Sequence, residues 1–423
     1  MSGRFGTTRP LSGRRLRDVV LFAALATALV ISSGAPQAAA DPRAEEPAPA
    51  GISLEQRFKY EGGTDLDFRG NIVYAGVEGS KGGVGIYRIG KGTVTKCDSK
   101  AGKPCPLASR SDRRGGGSLK KIGFVSCPGS QNDVLSVSKN ILALAYHESQ
   151  CTKKKAGVAL FNVKNPTRPK LLSDVALPGG THTISLYPGK PIIYASPGGL
   201  LNGGGVEQIL DISNPKKIKV AATFKPNEAG CHDITWLFKK EEKLAFCPGL
   251  SGTEIWNVAK PLKPVMISHI YNPVQDFHHY ALPTKDGNHL VVSDENFELH
   301  DCTSGQSPTG AFFVYDITVR EAPVPVAKFS PQRGAAPVGG AATPVCTSHQ
   351  FNFVPGTDVI VTSWYTGGTS IIDFSDPLQP QELAFYQPAD ANTWSSYAYK
   401  GRIFASDLNR GLEVLGVAGI KGF

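Results

Sequence analysis

QILDISNP, residues 208–215, is a short apolar run that ends in a polar turn closed by proline. Such a run suits a buried strand, the Asp or Asn side chain can close the turn on its own backbone, and Pro fixes φ just beyond it. The same ending recurs at FNVKNP (161–166), WNVAKP (256–261), YDITVREAP (315–323) and DFSDP (373–377). Another strand follows these endings, as in KLLSDVAL (170–177), IKVAATF (218–224) and ELAFYQP (382–388). Two strands joined by a tight turn precede them. The unit is therefore four short strands in about 50 residues, the period of a propeller blade. One such sheet leaves an apolar face uncovered, and packing sheets around a ring buries it.

Counting by first strand gives seven units. They begin near Thr64, Asp133, His182, His232, His278, His349 and Ser395. The last unit holds only three strands and ends at GLEVLGV (411–417), while LEQRFKYE (54–61) stands alone before the first. The N-terminal strand is expected to complete the last blade and close the ring, which removes exposed sheet edges. The predicted fold is all-β: a seven-bladed β-propeller of four-stranded blades over residues 52–421. Composition agrees. The 423 residues include 47 Gly and 31 Pro, with 19% charged, which argues against long helices or coiled coils. An apolar share of 41% with 20 Phe can fill a large core.

The segments GIYRI (85–89), ALFNVKNP (159–166), QILDISNP, FFVYDIT (312–318) and SIIDFSDP (370–377) resemble the repeat of the LVIVD family, exported bacterial propellers. The resemblance spans nearly the whole chain after its leader. It implies fold and export, and brings no activity that can be carried over residue by residue.

Residues 1–40 read as a signal peptide. Arg4, Arg9, Arg14, Arg15 and Arg17 precede the apolar run Val19–Ile31, and Ala38-Ala39-Ala40 offers a cleavage site. The run is short for a membrane anchor, the alternative reading. Residues 41–51, DPRAEEPAPAG, read as a flexible linker. The expected location is outside the cell, as a monomer with no membrane span once the signal is removed. The net charge of +9 includes five Arg and one Asp in that leader. Basic clusters such as Lys153-Lys154-Lys155 have no recognition helix or aromatic stripe beside them, so nucleic acid is not an expected partner.

Eight Cys and no CxxC pair in an exported chain point to disulfides rather than thiolate metal sites. Strands one and two of a blade are antiparallel, so the start of one lies beside the end of the other. That places Cys127 with Cys151 and Cys231 with Cys247. Cys302 with Cys346 would bridge neighbouring blades, and Cys97 with Cys105 share one inserted loop. Other pairings among these loops remain open. All eight fall on one rim, together with the insertions 93–126, 295–310 and 331–346, as on a binding face.

His182, His232, His278 and His349 occupy four of the seven first-strand starts, which converge on the channel mouth. Imidazoles brought together from different strands suit one Cu, Fe or Zn ion. Asp133, Asp294, Glu295, His147 and Glu148 are further candidate ligands or partners to the ligands. The arrangement, though not the sequence, resembles the iron site of carotenoid oxygenases and more loosely that of copper-dependent methanethiol oxidases. The competing reading is a channel filled by hydrogen-bonded polar side chains, with a small molecule, protein or glycan bound on the loops. His278 and His279 compete for the inward position, since neighbours on a strand alternate. Trp364, Tyr365, Trp394, Tyr397 and Tyr399 are expected to pack between blades or to stack a ligand. GLLNGGG (199–205) lacks the context of a phosphate loop, and no GxSxG or HExxH occurs. An ion with an open position would permit oxidative or hydrolytic chemistry, but no residue fixes an activity.

Overall fold

A computed structural model describes residues 51–90, 118–147, 151–153, 156–197, 205–226, 231–250, 252–295, 310–331 and 346–423. The leader, most of the linker, Cys97, Cys105, Glu148 and Cys302 lie outside these residues. So do the two pairings that involve Cys97 and Cys302. No helix among the described residues is long and apolar enough to cross a membrane.

Seven four-stranded antiparallel sheets form the ring, as the repeat predicts. Blade 1 runs from Gly63–Arg69 to Leu119–Ser126, and blade 2 from Ser130–Ser138 to Lys170–Ala176. Blade 3 runs from Thr181–Leu186 to Lys219–Phe224, and blade 4 from Thr235–Phe238 to Val265–Ile270. Blade 5 runs from His278–Pro283 to Val324–Phe329, and blade 6 from Phe351–Phe353 to Gln381–Tyr386. Blade 7 holds Thr393–Tyr399, Arg402–Asp407 and Gly411–Val417, and its fourth strand is the N-terminal Ile52–Phe58. Closure is by antiparallel pairing from Ile52↔Val417 to Phe58↔Leu412.

The recurring turn works as its residues require. Asp211 Oδ1 accepts from Ser213 N at 2.9 Å and Asn214 Oδ1 from Lys216 N at 3.1 Å. The same side-chain closure appears at Asn162, Asn257, Asp316 and Asp373. These Asx turns satisfy backbone N–H groups that the strand no longer pairs. The outer strand that follows is mostly exposed, whereas the second and third strands are buried.

The core is divided among the blade junctions. Seven apolar clusters are present, and each joins two neighbouring blades. Ile193 and Ala195 of blade 3 meet Ala143 and Leu160 of blade 2, while Tyr187 and Tyr194 face blade 4 through Trp256 and Cys247. Each sheet thus buries both faces, one against each neighbour. Contact is close enough that a Cβ on Gly123 would lie 1.7 Å from the Pro166 carbonyl oxygen in the turn of the next blade.

Cys127–Cys151 and Cys231–Cys247 form disulfides within blades 2 and 4, as the register predicts. Cys346 is buried and disulfide-bonded. The Cys231–Cys247 bridge spans 16 residues. A closed loop of that size restricts the unfolded chain by roughly 3 kcal/mol. Replacing both residues by Ala should lower the urea midpoint by the equivalent amount, and an unchanged midpoint would refute the contribution.

Candidate metal centre

The strand starts of blades 3 to 6 bring four imidazoles together in chain order. Ring centroids are 4.3 Å apart for His182 and His232, 4.0 Å for His232 and His279, and 3.9 Å for His279 and His349. Trp394 of blade 7 continues the arc, 4.7 Å from His349. His232, His279 and His349 are buried, and His182 is half-buried at the opening.

The ring member from blade 5 is His279, not His278. His278 turns into the junction with blade 4, where its Nδ1 meets Thr253 Oγ1 at 2.8 Å. The pairing slips between His278 and Tyr280, and that bulge reverses which residue faces the axis. Similar slips occur at the first strands of blades 1, 2, 3 and 7. They let consecutive residues line one cavity, as Thr64-Asp65 and His182-Thr183 do; His349 and Gln350, just before the first strand of blade 6, line it too.

A second tier lies beneath the imidazoles. Asp65, Asp133 and Gln350 line the same cavity, and none of its lining residues is Lys or Arg. Tyr397 Oη sits 2.7 Å from Asp65 Oδ1 and 2.6 Å from Gln350 Oε1. Asp133 Oδ2 accepts from Ile184 N at 2.6 Å, and His232 Nδ1 lies 2.8 Å from Asp233 Oδ2.

Glu295 follows the second strand of blade 5 and reaches the ring from its side. Its two oxygens lie 3.5 Å from His279 Nε2 and 3.6 Å from His349 Nε2, and Tyr365 donates its hydroxyl to Oε1 at 2.6 Å. Tyr365 adopts a left-handed backbone, φ 46°, unusual outside glycine. Paired backbone bonds with Thr393 at 3.1 and 2.9 Å hold it there. Such a conformation persists only where its surroundings enforce it.

Asp294 belongs to the scaffold. It accepts from the backbone N–H groups of Asp276, Phe277 and Gly310, fixing the loop before the first strand. His147 ends the second strand of blade 2, opposite Ser130. Of the aromatics, Trp364 is fully buried between blades 5 and 6, and Tyr399 stacks on Phe68 between blades 7 and 1. Tyr365, Trp394 and Tyr397 instead border the site. Sequence reading left the ring position between His278 and His279, naming His278 first, and missed Asp65 and Asp233. Each neighbours an identified strand start, and for His279 and Asp65 the bulge there sets the direction.

Burial dominates the electrostatics of the site. Burial pushes Glu295 up to about 8 and Asp233 up to about 7. Burial and then the Asp233 charge push Asp133 up to about 7. Burial holds His232 down to about 3. His279 and His349 are held well below the ordinary range, first by burial and then by the neighbouring imidazoles. Burial thus favours protonated acids and unprotonated bases, a preference that a nearby cation would reverse for the acids.

In two groups, one ligand atom from each residue lies within 4.8 Å of the others: His232, Asp233 and His279, and His279, Glu295 and His349. Each combines two imidazoles with a carboxylate, a set suited to borderline transition metals with coordination positions left open.

No family model and no curated protein matches the chain. Among solved structures, the WD40 repeats of RRP9 align at TM-score 0.55 and 10% identity, covering 88% of this chain and 99% of that one. A chain of a mitotic checkpoint complex aligns at TM-score 0.53 and 11% identity, covering 93% and 99%. At such identities the likeness establishes a β-propeller and carries nothing about the channel residues.

Proposed function

We propose that this chain is an exported propeller of the LVIVD-repeat type that holds a transition-metal ion at its channel mouth through His182, His232, His279 and His349, with Glu295 and Asp233 beside them. One observation carries the reading. His279 and His349 are buried, their Nδ1 atoms have no hydrogen-bond partner among the described residues, and their Nε2 atoms stand beyond good hydrogen-bond distance from Glu295. A channel filled only for packing would satisfy these atoms, because orphaned buried polar groups cost about 1–3 kcal/mol each. A cation between them and the carboxylates satisfies both.

The donor set favours Cu, Zn or Fe over hard cations that prefer oxygen alone. The disulfides on this rim would hold the mouth rigid outside the cell, and Trp394 and Thr64 would flank whatever ligand reaches the ion.

Protein purified without an affinity tag should carry bound transition metal, and a His232→Ala/His349→Ala variant should not. Elemental analysis of both decides it. Absence of metal from both, even after incubation with Cu(II), Zn(II) or Fe(II), would overturn the reading in favour of a metal-free scaffold that binds protein or glycan.

A further inference from the structure

We infer that the imidazole arc holds two adjoining ions rather than one, with His279 shared between them. This rests on the reading of the arc as a metal site. The two donor sets are equivalent in kind, each with two imidazoles and one carboxylate, and they have only His279 in common. His279 is the middle ring, 4.0 Å from His232 and 3.9 Å from His349.

Its two nitrogens are placed differently. Nε2 faces Glu295 Oε2 at 3.5 Å, whereas Nδ1 is buried with no hydrogen-bond partner among the described residues. An imidazole that ligates through one nitrogen ordinarily donates its other N–H to a carboxylate, carbonyl or water. If Nε2 of His279 ligates, its Nδ1 has no such acceptor among the described residues. Deprotonated and ligating through both nitrogens, it needs none.

Charge points the same way. Asp233 and Glu295 belong to the donor sets, and Asp65 and Asp133 line the cavity beneath. The cavity lining holds Asp65 and Asp133 and no Lys or Arg, so bound cations meet no like charge there.

Zn(II) alone serves as the probe. The full secreted chain, purified without a tag, is stripped of metal and dialysed against Zn(II) with a competing chelator. The expected count is two per chain, one in His232→Gln, one in Glu295→Gln and none in His279→Ala, with melting curves to verify folding. The wild-type count decides even if a variant fails to fold. A wild-type count of one overturns the shared pair and leaves the single-ion reading standing. A count of zero overturns both. Two ions that persist in folded His279→Ala place the metal elsewhere and also overturn the proposal. With Cu(II), two ions on one imidazole are expected to couple, so the integrated paramagnetic signal should fall below the copper content; a full signal overturns the bridge.

Discussion

Deletion of residues 51–61 should abolish folding of the chain as a soluble monomer. Ile52–Phe58 is the whole outer strand of blade 7, paired along its length with Gly411–Val417. Ile52 is buried in the junction of blades 6 and 7 beside Ala384 and Leu415. Phe58 packs on Tyr87 of blade 1 at 4.9 Å. Gln56 spans to the outer strand of blade 1, exchanging two 2.8 Å bonds with the backbone of Leu119. Deletion therefore opens two junctions and leaves Gly411–Val417 as an unpaired edge, a template for aggregation. The loss is comparable with the whole stability of a domain, about 5–15 kcal/mol. Size-exclusion chromatography and circular dichroism should show aggregate or unfolded chain, and a synthetic peptide of residues 51–61 should restore the monomer. A deleted chain that elutes as a monomer with an unchanged melt would refute the role of this strand.

The second large effect is expected at Arg410→Met. Arg410 lies in the turn between the second and third strands of blade 7, buried with its partner Glu413. Its Nε donates to Glu413 Oε1 at 3.0 Å, Nη2 donates to Tyr386 Oη at 3.1 Å, and Nη1 pairs with Asp390. Removing the guanidinium leaves Glu413 buried against only the distant Arg57, 3.8 Å away. Breaking one side of a buried pair costs about 3–5 kcal/mol. Arg410→Met/Glu413→Gln should recover much of it, because the stranded charge is gone.

The deficit should also depend on pH. Burial already pushes Glu413 up to about 7 despite the attraction of Arg410, and losing Arg410 raises it further. A carboxyl raised in the folded state binds its proton more tightly there than in the unfolded chain. Its penalty is full above the folded value and disappears as pH falls toward the unfolded value. Chemical denaturation at pH 8 and pH 5 should therefore show a larger deficit at pH 8. An equal deficit at both would mean that lost packing, not charge, dominates.

The ring was legible in the sequence because it is written in backbone chemistry. Asp211, Asn257, Asp316 and Asp373 end their strands by closing Asx turns, so their spacing marks one blade after another. Cysteine placement followed from antiparallel pairing alone, which is why Cys127–Cys151 and Cys231–Cys247 were predictable. The channel was legible less well. His182, His232 and His349 were identified because each opens a unit. His279 was not separated from His278, because the slip at the strand start obeys no residue pattern. Alternation, which serves well in regular strands, fails at a bulge. A similar slip hid Asp65 behind Thr64; Asp233 was hidden because it lies before the regular strand of blade 4, which starts at Thr235. Glu295 was found because it directly follows a strand whose register was already fixed.

Ala418 N donates to Gly51 O at 2.9 Å, so the two ends of the propeller touch. The backbone is in effect a circle with a single nick. The contacts that specify the fold do not depend on where that nick falls. A chain rejoined at this point and reopened at an exposed proline turn, such as Lys164–Thr167, would present the same seven junctions. The order of synthesis is thus separable from the final shape.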